Sequence, residues 1–261
     1  MPRVVVVRGE NVFSMVEEAL RFFGRPSRRK VVIKPNLIID RPGPTTPVDV
    51  VEALLRFYGP GYHEVVIAEG SGWCETREAF ETLGYVELAK RYGVRLVDLN
   101  EDAYEEVSRP DALVLKSFRL PLTVKNAFLV SAALLKTHSL TGVSLSLKNM
   151  LGIAIGEPVR AGKKRRFHRL GLDESIVDIC SYKRPDMAVI DGRVACIGGE
   201  LGGRPEPLGL LIASDDPVAA DAIGAKILGY DPFSIRHIRL AHERRLGTAD
   251  LSEVEIIELE V

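Results

Sequence analysis

The sequence predicts an α/β protein, a single domain over residues 1–261 built on a mainly parallel sheet with helices on both faces. Three observations lead there. Short apolar runs alternate with stretches of helical spacing. Most of those runs are apolar at every position, as strands covered on both faces require, instead of alternating apolar with polar. Four runs also end alike, in polar residues beside glycine or proline or before a turn: Lys34-Pro35-Asn36, Glu69-Gly70-Ser71, Lys136-Thr137-His138 and Asp191-Gly192. Parallel strands would gather such ends on one edge, where open α/β sheets bind ligands.

Residues 4–7 (VVVV) form a first buried strand, and residues 11–23 a helix closed by Gly24. Residues 28–39 are the second strand, ending or bulging at Lys34-Pro35-Asn36 because proline cannot donate to a ladder. After a proline-rich loop, Thr46 is placed to cap a helix with Pro47 in its first turn that runs to about Tyr58. Residues 64–68 are strand three, and residues 75–83 and 86–92 are helical. A fourth strand spans 94–98, and residues 112–116 and 118–120 suit a hairpin.

The organising stretch starts at Phe128 as an unbroken apolar run and breaks at Lys136-Thr137-His138. Helical spacing resumes with Val143, Leu147, Met150 and Leu151, carrying Lys148-Asn149 to a stop at Gly152. Residues 156–171 are polar and basic, a mobile loop or small lobe. Residues 173–182 form a helix, and 187–190 a strand ending at Asp191-Gly192. A Gly/Pro-rich loop over 198–207 precedes a strand over 208–213. Asp216 caps a helix with Pro217 at its first position, and residues 254–259 alternate like an edge strand.

A formal charge of −1 excludes the strongly basic balance of a general nucleic-acid binder. The three cysteines, Cys74, Cys180 and Cys196, are far apart and include no C-x-x-C, so no iron–sulfur cluster is expected in this chain. Reduced thiols, an N-terminal apolar run too short for a signal peptide and the lack of any membrane-length apolar segment point to a soluble cytoplasmic protein. Glutamine is absent while Arg and Glu abound, a bias that fits a thermophilic source.

The strand-end clusters set the functional expectation. Lys136, His138 and Lys148 would form an electropositive pocket for a carboxylate or phosphate, with His138, Lys148, Lys136 and Glu69 as catalytic candidates. Lys34, Asn36, Ser71, Thr137, Asn149 and His168 are the substrate-binding candidates. Asp191 and Asp216, with Glu69, are the weak candidates for a divalent metal. The basic run at 163–169 could grip nucleic acid, but a solvated loop face is commoner for such runs and no nucleic-acid motif accompanies it. The leading expectation is an enzyme acting on a small anionic metabolite. The alternative is a cofactor-binding or accessory protein that docks on a redox partner.

Taken together, VVIKPNL, TTPVDVVEALL, VVIAEGS, LLKTHSLTGVSLSLKNMLG, HRLGLDESIVDI, DMAVIDG and ASDDPVAADA resemble the family known as domain of unknown function 362. Some members carry ferredoxin-like cysteine clusters, so the resemblance implies a redox setting, although those cysteines are missing here. A local stretch, His138, Gly142, Ser144, Lys148 and Gly152, is also similar to the nickel-pincer lactate racemases. That similarity implies Lys148 as a cofactor or substrate anchor and His138 as an acid/base. The racemase histidine after the early strand-end glycine has no counterpart in Glu69-Gly70-Ser71-Gly72, and His168 would have to replace a metal ligand.

Overall fold

The computed structural model describes residues 1–26, 30–59 and 64–261. The chain begins with β1 (Arg3–Arg8), α1 (Val12–Leu20), β2 (Lys30–Pro35), α2 (Val48–Tyr58) and β3 (Glu64–Glu69). The expected start of the second strand at residues 28–29 lies outside the described residues. Next come α3 (Thr76–Thr82), α4 (Tyr85–Tyr92), β4 (Arg95–Asp98), a hairpin of β5 (Tyr104–Ser108) and β6 (Ser117–Pro121), and the one-turn α5 (Leu122–Lys125). The central strand β7 (Phe128–His138) turns back through β8 (Gly142–Ser144) into the short α6 (Ser146–Asn149) and a 3₁₀ turn, Met150–Ile153. Then follow α7 (Arg165–Leu170), α8 (Leu172–Tyr182), β9 (Met187–Ile197), β10 (Arg204–Ser214), α9 (Pro217–Ile227), α10 (Arg236–Glu243) and β11 (Glu255–Glu260).

The main sheet runs β11-β1-β10-β9-β7-β2-β3-β4, with β8 paired to β7. Along that path only β10 runs against its neighbours, so the sheet is mainly parallel, as the apolar strands predict. Alternation along each strand feeds two cores, one on each face. Val4 and Val6 join the core under α6, α8, α9 and α10. Val5 and Val7 join the other, under α1, α2, α3 and α4.

Several local expectations are corrected, each by a tertiary contact. β7 does not break at Lys136 but continues to His138, because β8 supplies an antiparallel partner for Lys136, Thr137 and His138. Val143 therefore lies in a strand and not on the helical face. β9 runs through Asp191-Gly192 to Ile197, and β10 begins already at Arg204. A register shift between Pro207 and Leu210 accommodates the β10 prolines. Residues 112–116 are not a hairpin arm, since the buried carboxylate of Asp178 on α8 accepts from the amides of Leu113, Val114 and Leu115 at 2.7–2.8 Å. Thr46 does not cap α2: its hydroxyl donates to Ala132 O (2.7 Å) and accepts from Asn36 N (2.9 Å), tying the loop to β7. Asp216 does cap α9, accepting from Val218 and Ala219 N, with Pro217 at the first position.

Candidate functional site

Where β2, β3 and β7 end side by side, the chain brings most of the sequence-predicted polar residues to one pocket. At its floor lies an ion pair. Lys34 Nζ contacts Glu69 Oε1 at 2.8 Å and Oε2 at 3.0 Å, and donates also to Asn149 Oδ1 (2.8 Å) and Pro35 O (3.0 Å). Glu69 in turn accepts from Leu37 N (2.9 Å) and Gly70 N (2.7 Å). Burial lowers the Lys34 pKa, and the charge of Glu69 opposes that shift. Both groups are consumed by each other and by the backbone, so Lys34 is not a free anion receptor. Gly152 makes this approach feasible, since a Cβ there would sit 2.0 Å from Glu69 Oε1 and 2.5 Å from Lys34 Nζ. Asn149 completes the floor by donating to Lys34 O (3.1 Å) and Ser131 Oγ (3.0 Å).

The other cations are held differently. Lys136, on the same face of β7 as His138, donates to Asn36 Oδ1 (2.7 Å) and Pro44 O (2.8 Å). Lys164, at the start of α7, donates to Asn100 Oδ1 (2.7 Å) and to Ala154 O. Lys148 Nζ has no hydrogen bond or ion pair among the described residues. Burial lowers all three, with Lys148 adding to the effect on Lys136. Lys136 and Lys164 fall to about 7, and Lys148 falls to about 8. Taking an ammonium out of water penalises its charged form, and neutral oxygens repay only part of that cost.

His138 Nδ1 accepts from the amides of Leu140 (3.1 Å) and Thr141 (3.3 Å). Those two donors leave no room for a proton on Nδ1, so the neutral ring carries its hydrogen on Nε2, 4.0 Å from Glu200 Oε1. Burial and then Lys148 lower the His138 pKa to about 3. It is thus a neutral hydrogen-bond donor to the pocket and a poor acid/base.

Ser71 also lines the pocket, with its hydroxyl donating to Leu37 O (2.6 Å), and the exposed His168 of α7 stands at the rim. Thr137 is directed elsewhere. Strand alternation turns it away from Lys136 and His138, and its hydroxyl accepts from Gly198 N at 2.7 Å. The two aspartates expected as metal ligands do not join the site. Asp191 pairs with Arg193 (3.0 Å), which also bridges to Asp49 (2.8 Å). Asp216 follows antiparallel β10, whose last residue, Ser214, lies beside Val4 and Ala188 at the starts of their strands. It therefore sits on the opposite edge of the sheet, where its carboxylate also accepts from Thr248 N (3.0 Å).

Sequence reasoning missed Lys164, Glu200 and Trp73, all of which line the pocket. Lys164 was hidden in the basic run. Only part of that run is a solvated face: Arg165, His168 and Arg169 on α7 are exposed, whereas Lys163 and Lys164 are buried and Lys163 pairs with Glu75 at 2.7 Å. Glu200 comes from the β9–β10 hairpin, within a segment read only as a glycine-rich loop.

Among the described residues no three His, Cys, Asp or Glu side chains converge as a metal-binding group. His138 Nδ1 is occupied by backbone and His168 is at the rim, so the donor set does not fit the nickel centre that the racemase similarity implies.

Fold and pocket together define an α/β protein with a lysine-rich cleft at the carboxyl edge of its sheet. The family model described as Domain of unknown function (DUF362) matches residues 31–226, and the chain belongs to that family. It is also similar to a thylakoid-associated protein of Synechocystis sp., 28% identical over 235 residues that cover 86% of this chain and 70% of the relative. No solved structure matches the chain. No helix among the described residues is long and apolar enough to cross a membrane.

Proposed function

We propose that this protein is an enzyme acting on a small anionic metabolite, a carboxylate or a phosphorylated compound, held in the lysine-rich cleft. One observation carries the reading: Lys136, Lys148 and Lys164 line a single pocket, and none of their Nζ atoms is paired with a carboxylate. Of the two carboxylates in the lining, Glu69 is taken by Lys34, and Glu200 accepts from Ser139 N (3.3 Å) and Oγ (3.0 Å). An anionic ligand would supply the missing countercharge in a partly desolvated site, where such pairs are strong.

In this reading Lys136 and Lys164 hold the anion, and His138 donates from Nε2 to a ligand oxygen. Lys148 is the reactive group. Its amine is unpartnered among the described residues, whereas neutral oxygens hold those of Lys136 and Lys164, and its pKa, lowered to about 8, leaves a fraction neutral near pH 7 that can take a proton from the ligand. Glu69 orients Lys34 and the Leu37 and Gly70 amides and takes no proton from the substrate. A cytoplasmic setting belongs to the same proposal, supported by three buried free cysteines.

The test incubates parent and Lys148→Met proteins with a metabolite extract and follows depletion by mass spectrometry, with melting curves to check folding. Consumption of a carboxylate or phosphorylated compound by the parent alone is the expected result. A folded Lys148→Met protein that consumes the same compound at an unchanged rate would overturn the role of Lys148. A parent that neither consumes nor binds any such compound would overturn the function.

A further inference from the structure

Trp73 is the single tryptophan of the chain, and it lines the pocket while remaining 39% exposed. Large aromatic side chains are usually covered, and a partly exposed indole at the wall of a cleft leaves apolar surface that a ligand can bury. Trp73 N donates to Ile38 O (3.1 Å), and the Arg165 guanidinium lies over the indole, 5.8 Å from its ring centroid. Ile38 extends the same wall. Its Cδ1 would lie 3.1 Å from a Cβ on Gly72, so the glycine lets it lie close to the turn that carries Trp73. The Cγ of Lys164 approaches the same point to 3.5 Å. An apolar platform and a buried cation without a carboxylate partner thus meet across one residue.

From that juxtaposition we infer that the ligand is an anion carrying a planar unsaturated ring, its charged group on the lysines and its ring against Trp73. This rests on the anion-binding reading above and narrows it to a substrate class. A bare inorganic anion or a short aliphatic acid would leave the Trp73–Ile38 wall uncovered.

The experiment titrates the full chain calorimetrically with four probes: inorganic phosphate, phenyl phosphate, cyclohexyl phosphate and benzoate. Fluorescence of the single tryptophan is followed in parallel. Aromatic pairing predicts phenyl phosphate binding about three- to tenfold tighter than inorganic or cyclohexyl phosphate. That advantage should vanish in Trp73→Ala and persist in Trp73→Phe, and phenyl phosphate should change the fluorescence of the parent. Benzoate binding as tightly as phenyl phosphate would assign the head group to the carboxylates, and weaker benzoate binding to the phosphates; in either case the ring platform requires that Trp73→Ala weaken the tighter of the two. Equal affinity for phenyl, cyclohexyl and inorganic phosphate overturns the platform and leaves the anion site standing. No binding of any of the four removes both.

Discussion

Raising the pH of the ligand-free protein from 8 to 9 should make it more stable. The buried lysines supply the sign. Lys136 and Lys164 have pKa values lowered to about 7 in the folded chain, against an ordinary value of 10.5. Below pH 7 both states hold these protons and the groups contribute no slope. Between about 7 and 10.5 the unfolded chain binds more protons than the folded one, so stability rises with pH. A fully released group contributes about 1.4 kcal/mol per pH unit. Lys136 and Lys164 would give nearly 3 kcal/mol and Lys148, lowered to about 8, about 1 more in the same direction, which the opposing groups and the mutual relief of like charges bring down to about 2 kcal/mol.

Between pH 8 and 9 the lysines outweigh the groups that oppose them. Asp221, raised to about 8 by burial, opposes the lysines below pH 8 and takes back only a few tenths of a kcal/mol between pH 8 and 9. His138, lowered to about 3, has finished contributing once the pH passes the ordinary histidine value of 6.5. Cys74, Cys180 and Tyr85 are raised by burial, so they lower stability as the unfolded chain ionises, the two thiols by a few tenths of a kcal/mol each between pH 8 and 9 and Tyr85 above that interval. Urea unfolding at pH 8.0, 8.5 and 9.0 and constant ionic strength reads the slope, and Lys136→Met or Lys164→Met should each remove about half of it. A flat or falling stability in the parent, or an unchanged slope in both variants, would refute the claim that these lysines are desolvated and lack a countercharge.

Other predictions follow from the same contacts. Lys34→Met leaves the buried Glu69 carboxylate without its ion partner and should cost about 3–5 kcal/mol, whereas Lys34→Met/Glu69→Gln should cost less than the sum of the single changes; strict additivity in urea unfolding would refute the coupling. Gly152→Ala drives a methyl into the same pair and should destabilise by about 1–3 kcal/mol, so an unchanged melting temperature would contradict the packing. Phosphate binding at pH 8 should take up about one proton as the anion raises the lysine pKa values; heats that do not vary with buffer ionisation enthalpy would count against it. Asp216→Ala should cost about 1–2 kcal/mol through the lost cap of α9 and leave phosphate affinity unchanged, whereas weakened binding would return Asp216 to the site.

The fold class was legible because burial on both faces writes itself into a strand as a continuous apolar run. β1, β2, β3, β7 and β9 could be found that way, and the run into Lys136 marked the ligand edge. Helix ends were legible where a side chain caps its own helix, as Asp216 does. Thr46 carried the same local signal and was claimed by β7 instead. Asp178 likewise drew residues 113–115 away from strand pairing through a contact more than 60 residues distant in sequence.

The candidate site divides along the same line. Residue types and their placement at strand ends were determined by the sequence, so Lys34, Glu69, Lys136, His138 and Lys148 could be named from it. Which lysine has a partner was decided only by tertiary structure, because a charge is neutralised by whatever group the fold brings within about 3–4 Å. The fold gave Lys34 to Glu69 and, among the described residues, left Lys148 without a partner. Which strand reverses lay equally beyond the sequence, because one buried apolar run among parallel strands reads the same in either sense. The reversal of β10 is what carried Asp216 to the far edge of the sheet.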